Sequence, residues 1–173
     1  MADFYGTIEG ADTYHSDRGN TAWTGADEVK TAALVRASAY IDGRYRWRLK
    51  SGRWQSMFRG VRAAGRDQAL EWPRTGATDY EGNELPDDEV PDEVIQATYE
   101  AAVRELVSSG SLSPDYTAAD QVTKEKVGPI EVQYAEAKAG ENSLPNRPVV
   151  PTIDEIIAPV VFRPYEYPAV RVV

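Results

Sequence analysis

The chain has 173 residues, a net charge of −9, one histidine and no cysteine. That length fits one domain with appendages, the missing thiols exclude disulfide frameworks and thiolate metal sites, and a lone histidine excludes a multi-histidine metal site within one chain. The acid excess argues against generic attachment to a nucleic-acid backbone, and the absence of any run of 18 or more apolar residues gives no reason to expect a membrane span.

In chain order, the start MADFYGTIEGADTY carries acids and no early base, so it does not read as a secretory signal. Residues 11–18 predict a short helix closed by Gly19, with His15 as a turn or surface residue. A clearer helix is expected over about 25–42, capped by Thr24 or Asp27 and stopped by Gly43. Val29, Ala33, Leu34, Ala37 and Tyr40 or Ile41 would form its buried face. Residues 44–66 then gather Arg44, Arg46, Arg48, Lys50, Arg53, Arg59, Arg62 and Arg66 with no acid, a block of +8 that leaves −17 on the rest. Tyr45, Trp47, Trp54 and Phe58 interleave with these cations. The alternation over 44–48 fits a strand or a continued helix, and the segment reads as a protruding loop or hairpin.

Residues 68–74 suggest a short helical turn that Pro73 must redirect, with Trp72 as a buried anchor. An acidic loop follows, and Pro91, Asp92 and Glu93 open a helix running to about 108. Ile95, Tyr99, Ala102 and Leu106 make its apolar stripe, Val94, Thr98 and Val103 lie beside it, and Gly110 ends it. Ile130, Val132 and Tyr134 alternate with polar residues after Gly128-Pro129, which predicts a hairpin over about 121–135. Residues 144–173 hold six of the eleven prolines yet are rich in Val, Ile and Tyr. Such a segment needs a surface to cover it, its own core or, as the favoured reading, a neighbouring subunit; only a helix at about 152–158 fits within it.

Little of this is arranged for catalysis. Asp79, Glu81, Glu84, Asp87, Asp88, Glu89, Asp92 and Glu93 read as a solvated surface rather than a general acid–base pair. The serines after residue 107 have no histidine to form a triad, and the glycines at 60, 65 and 76 lack phosphate-loop spacing. The Arg/aromatic block is the feature with functional content. Arg44, Arg46, Trp47, Arg48, Lys50, Arg53, Trp54, Arg59 and Arg62 are the candidate contacts to DNA or to another subunit, because guanidinium groups neutralise phosphate while aromatic rings stack on bases.

The ordered segments DTYHSDRGNTAW, VKTAALVRASAYIDGRY and GRDQALEWPRTGATD, then the proline-led helix and KVGPIEVQY, carry a resemblance. They resemble phage proteins labelled DnaT-like single-stranded DNA-binding proteins, and also the head–tail connector, or adaptor, proteins of tailed phages. The likeness covers roughly residues 1–135; segment 47–60 and the C-terminal tail fall outside it. The adaptor resemblance, the reading favoured here, implies a structural, non-enzymatic virion protein without cofactor or metal. It would be made in the host cytoplasm and form a ring of twelve copies in the neck. Its partners would be itself, the portal protein, a tail-side stopper or tail protein and the packaged double-stranded DNA, with no membrane. The DnaT-like resemblance implies instead a replication-associated single-strand-binding module, for which the Arg/aromatic composition of residues 44–66 offers the contact surface.

The expected fold is mainly α. It comprises a small adaptor-like helical bundle over 1–143 with one β-hairpin, and an extended Pro-rich docking arm over 144–173. Its anchors would be Trp23, Leu34, Ile41, Trp72, Tyr99 and Leu106, and the arm would dock on a partner through Ile156, Ile157, Val160, Val161, Phe162, Tyr165 and Tyr167. A chain lacking 149–173 is then expected to fold but not to assemble.

Overall fold

Thr7 starts the first helix: its backbone is extended and its hydroxyl accepts from the Gly10 amide, so α1 runs Ile8–Asp17. It stops before Gly19, whose φ of +63° is left-handed. The computed structural model describes residues 3–49, 51–114, 148–162 and the strands 124–127 and 130–133.

Helix α2, Asp27–Arg44, departs from expectation at both ends. Its N-cap is Ala26 with no side-chain cap, so neither Thr24 nor Asp27 caps it; Asp27 and Glu28 instead place negative charge in the first turn. Gly43 lies inside the helix, which ends at Tyr45, whose ring is buried. Val29, expected on the buried face, is 52% exposed. Strands β1 (Arg46–Arg48) and β2 (Trp54–Ser56) form an antiparallel ribbon, and β3 (Val61–Arg62) pairs with β4 (Arg74–Thr75). In place of the short helical turn expected at 68–74 there is a 3-10 turn at Gly65–Asp67 and a cis Trp72–Pro73 peptide.

Helix α3, Asp92–Val107, follows Pro91 as read. The strands β5 (Lys124–Val127) and β6 (Ile130–Gln133) make the expected hairpin, Val127 opposite Ile130; its Gly128-Pro129 turn and Tyr134 lie outside the described residues. Helix α4, Pro151–Ile157, continues into a 3-10 turn over Ala158–Val160. The fold is mainly α, and the described residues hold three two-stranded ribbons: the hairpin expected at about 121–135, β1–β2 within the segment read as a loop or hairpin, and β3–β4, which was not expected.

The core forms where α2 meets α3. Ala33, Leu34, Ala37 and Ile41 of α2 and Val94, Ala97, Ala101 and Ala102 of α3 are fully buried. Small side chains let the two backbones approach closely. The buried face of α3 is rotated from the expected stripe: Ile95 and Leu106 are only partly buried, whereas Ala97, Ala101 and even Glu105 are inside. Alanine reads as neutral in an apolar pattern, so it did not mark the face. Glu105 is tolerated because its carboxylate accepts from Arg36 Nε and from the Gly110 and Leu112 amides.

His15 is a core residue, not the surface residue expected, at 1% exposure. Its Nε2 meets the Tyr99 carbonyl at 3.2 Å and its ring lies 5.0 Å from that of Trp23. Burial holds its pKa below the usual histidine value. Trp23, Leu34, Ile41, Trp72 and Tyr99 are buried as expected.

The C-terminal arm docks first on its own chain. Ile153, Ile157 and Val160 are at most 2% exposed, and α4 packs on α3. Asp154 fixes the orientation, accepting from the Tyr45 hydroxyl at 2.7 Å and pairing with Arg44 at 3.4 Å. Residues 151–161 are therefore part of the body, not an arm held for a neighbour. Each buried aliphatic side chain contributes about 1.5–3 kcal/mol, against a total domain stability of about 5–15 kcal/mol. The chain lacking 149–173 is therefore now expected to be largely unfolded. Ile157→Ala alone should cost about 2–5 kcal/mol in urea unfolding; unchanged midpoints for both would contradict this packing.

A buried polar knot joins the N-terminal segment, α2 and the Trp-Pro segment. The Tyr5 hydroxyl donates to Asp42 Oδ1 at 2.6 Å and accepts from the Trp72 amide at 3.2 Å. Asp42 Oδ2 accepts from the Glu71 amide at 3.0 Å, and the Tyr5 amide donates to Ser38 Oγ. Burial pushes the Asp42 carboxyl up to about 6, although the bonds from Tyr5 and Glu71 oppose the rise. The folded chain thus holds this proton more tightly than the unfolded chain, whose aspartate titrates near 3.9. Asp42's contribution is present below pH of about 4 and is lost as pH rises through about 6. Relative to Asp42→Asn, wild-type stability should fall by about 2–3 kcal/mol between those limits. Urea unfolding of both proteins across this range checks it; parallel pH profiles would contradict it.

Candidate nucleic-acid interface

The +8 segment is divided by the fold into paired and unpaired cations. Arg44 ends α2 against Asp154, and Arg46 Nη2 meets Glu71 Oε1 at 3.0 Å. Arg48, Arg53, Arg59 and Arg66 are exposed and Arg62 half-buried, and none has an ion-pair partner among the described residues. Arg48 and Arg62 use some donors on carbonyl oxygens, of Gly52 and Gln68 respectively. Lys50 lies outside the described residues.

The β1–β2 register decides which side chains share a face. Arg48 stands opposite Trp54 and Arg46 opposite Ser56, so these four line one side, while Trp47 and Gln55 line the other. Trp47 is half-buried, whereas Trp54 is 56% exposed. The ribbon turns through Gly52, whose φ is +81°, and the Leu49 amide closes the turn on the Arg53 carbonyl at 2.8 Å. Arg48 and the exposed Trp54 therefore share a face next to the ribbon tip, with Arg53 adjoining in sequence.

The root of the ribbon is rigid. The Met57 amide donates to the Tyr45 carbonyl at 2.8 Å, and the buried Phe58 ring packs 5.9 Å from Tyr45 and 5.5 Å from Trp72. From below, Arg74 holds the following loop. Only 4% exposed, it donates from Nε to the Arg59 carbonyl and from Nη2 to the Gly60 carbonyl, both at 2.7 Å. Its Nη1 meets Glu71 Oε2 at 2.7 Å. Burial lowers the Arg74 pKa, an effect that the Glu71 carboxylate opposes. Gly60 must be glycine: its φ is +69°, and a Cβ there would run into the Thr75 carbonyl oxygen.

Sequence reasoning missed Asp42, Glu71 and Arg74, which position the segment. Nothing in the local pattern marks them, since each looks like an ordinary charged residue until the fold buries it.

The candidate docking residues separate in the same way. Ile157 and Val160 are buried in the body, so they are unavailable to a partner; Ile156 and Val161 are half-buried and Phe162 is 44% exposed. Val161 pairs with Phe58 in a single β-bridge, and the Phe162 amide donates to the Met57 carbonyl at 2.7 Å. Tyr165 and Tyr167 lie outside the described residues.

Elsewhere the chemistry is structural. Asp79 accepts from the Glu81 and Asn83 amides and from Asn83 Nδ2, so it shapes its own turn, and these bonds hold its pKa down. No group of three His, Cys, Asp or Glu side chains among the described residues could hold a metal ion. No helix among them is long and apolar enough to cross a membrane.

A family described as "Putative DnaT-like ssDNA binding protein" matches residues 1–172, and the chain belongs to that family. No curated protein and no solved structure matches it.

Proposed function

We propose, taking that family as the premise, that the protein binds single-stranded DNA without strong sequence preference through the β1–β2 ribbon and the adjoining loop. The observation that carries this reading is the exposed Trp54 indole beside Arg48 on one ribbon face. A base has a π-face that an indole can stack on, and an arginine free of carboxylates can take up phosphate. Arg53, Arg59, Arg62 and Arg66 extend the cationic surface, while Arg44 and Arg46 are spent on Asp154 and Glu71. The net charge of −9 weakens long-range attraction, but each arginine–phosphate contact releases counterions, so binding should weaken as salt rises.

A second reading is a head–tail adaptor ring of a tailed phage, seated beneath the portal protein in the virion neck. The observation that favours it is the separation of charge along the chain, with +8 over residues 44–66 and the acids Asp79 to Glu93 after it. Two unlike patches allow head-to-tail contacts that close into a ring. The mass of the protein in solution, alone and with a portal protein, separates this reading from a monomeric binding module.

Trp54→Ala should weaken oligothymidylate binding by about 1–3 kcal/mol, as expected for loss of one stacked base. Arg48→Gln with Arg53→Gln should lower the salt slope by about 1.4, since each phosphate contact to a single strand contributes about 0.7. Fluorescence anisotropy across a salt series measures both. Binding unaffected by all three substitutions would overturn this interface.

A further inference from the structure

We infer that Phe162 is a second stacking surface of the same interface, carried to it by the C-terminal segment and shared with Arg59. The inference rests on the single-strand reading above and deepens it. Phe162 is far from the ribbon in sequence, yet its amide donates to the Met57 carbonyl at 2.7 Å, directly after β2. Its neighbour Val161 bridges to Phe58, which is 3% exposed, so the segment is tied to the part of the ribbon that is itself anchored in the core. The next residue back, Val160, is 2% exposed, so burial gives way to exposure between Val160 and Phe162.

The Phe162 ring is 44% exposed, a large apolar surface left in water. Its visible polar companion is Arg59, whose guanidinium carbon stands 4.7 Å from the ring centroid. Arg59 also donates to Thr78 Oγ1 at 3.2 Å, which holds its fork in place, and no carboxylate among the described residues neutralises it. A cation stacked on an exposed ring is the local unit from which sequence-tolerant single-strand sites are built: the ring offers a π-face and the guanidinium a phosphate donor. Phe162 with Arg59 forms such a unit beside the ribbon's root, and Trp54, opposite Arg48 in the register, puts a ring and a cation on one face of the ribbon itself. The ligand class is a flexible single strand able to place a base at each.

The test is anisotropy of a labelled oligothymidylate with the full chain at low salt, with thermal unfolding of every variant alongside. Phe162→Leu keeps apolar bulk but removes the π-face; it should weaken binding about tenfold with little change in unfolding midpoint. Phe162→Trp should restore the affinity, and Arg59→Gln should reduce the salt slope by about 0.7. A purely structural Phe162 would lower the midpoint in step with affinity and show no difference between Leu and Trp. Wild-type affinity in Phe162→Leu, with Trp54→Ala still impaired, would overturn the inference and leave the ribbon reading standing. A wild-type chain that does not bind the oligonucleotide would remove the single-strand reading, and the inference with it.

Discussion

The buried carboxylate of Asp42 is the constraint around which the rest is arranged. It lies near the C-terminal end of α2 and is met by the Tyr5 hydroxyl and the Glu71 amide. A charge in that position is costly unless its oxygens find donors. Satisfying it draws the N-terminal segment and the Trp72 segment onto the same point. Glu71, brought in by its backbone, then offers its carboxylate to Arg74 and Arg46. Arg74 in turn holds the carbonyls of Phe58, Arg59 and Gly60. One chain of polar contacts thus runs from the helical core to the root of the cationic ribbon.

That chain explains how an acidic protein can present a basic surface. Two of the eight cations in the 44–66 block are consumed by fold-holding carboxylates, and Arg48, Arg53, Arg59 and Arg66 are left exposed on the ribbon and the loop after it. The acidic residues between Asp79 and Glu89 are solvated, and one of them closes its own turn. Net charge therefore describes the encounter at a distance, whereas the local surface decides contact. The C-terminal helix serves the same end, filling the core with Ile153 and Ile157 and setting Phe162 beside Arg59.

Much of the fold was legible in sequence because it rests on local signals. The 3.6-residue pattern located α2 and α3, Pro91 and Gly110 bracketed α3, and strict alternation found β6. What escaped depends on contacts distant in sequence. Burial of His15 rests in part on the Tyr99 carbonyl, 84 residues away. The docking of α4 in cis depends on a groove that no hydropathy pattern reveals, so the apolar arm was read in favour of a neighbouring subunit. At the candidate site, composition alone picked out Trp54, Arg48 and Arg53. It could not separate them from Arg44 and Arg46, because pairing with Asp154 and Glu71 is a property of the fold. Arg74, outside the basic run, gave no signal at all.

The most direct measurement is a hydrogen–deuterium exchange map of the protein with and without saturating oligothymidylate. The account predicts added protection over residues 46–62, with the acidic loop 79–89 unchanged. Protection confined to other segments, with the ribbon exchanging as in the free protein, would contradict the placement of the nucleic-acid surface on the Arg/aromatic ribbon.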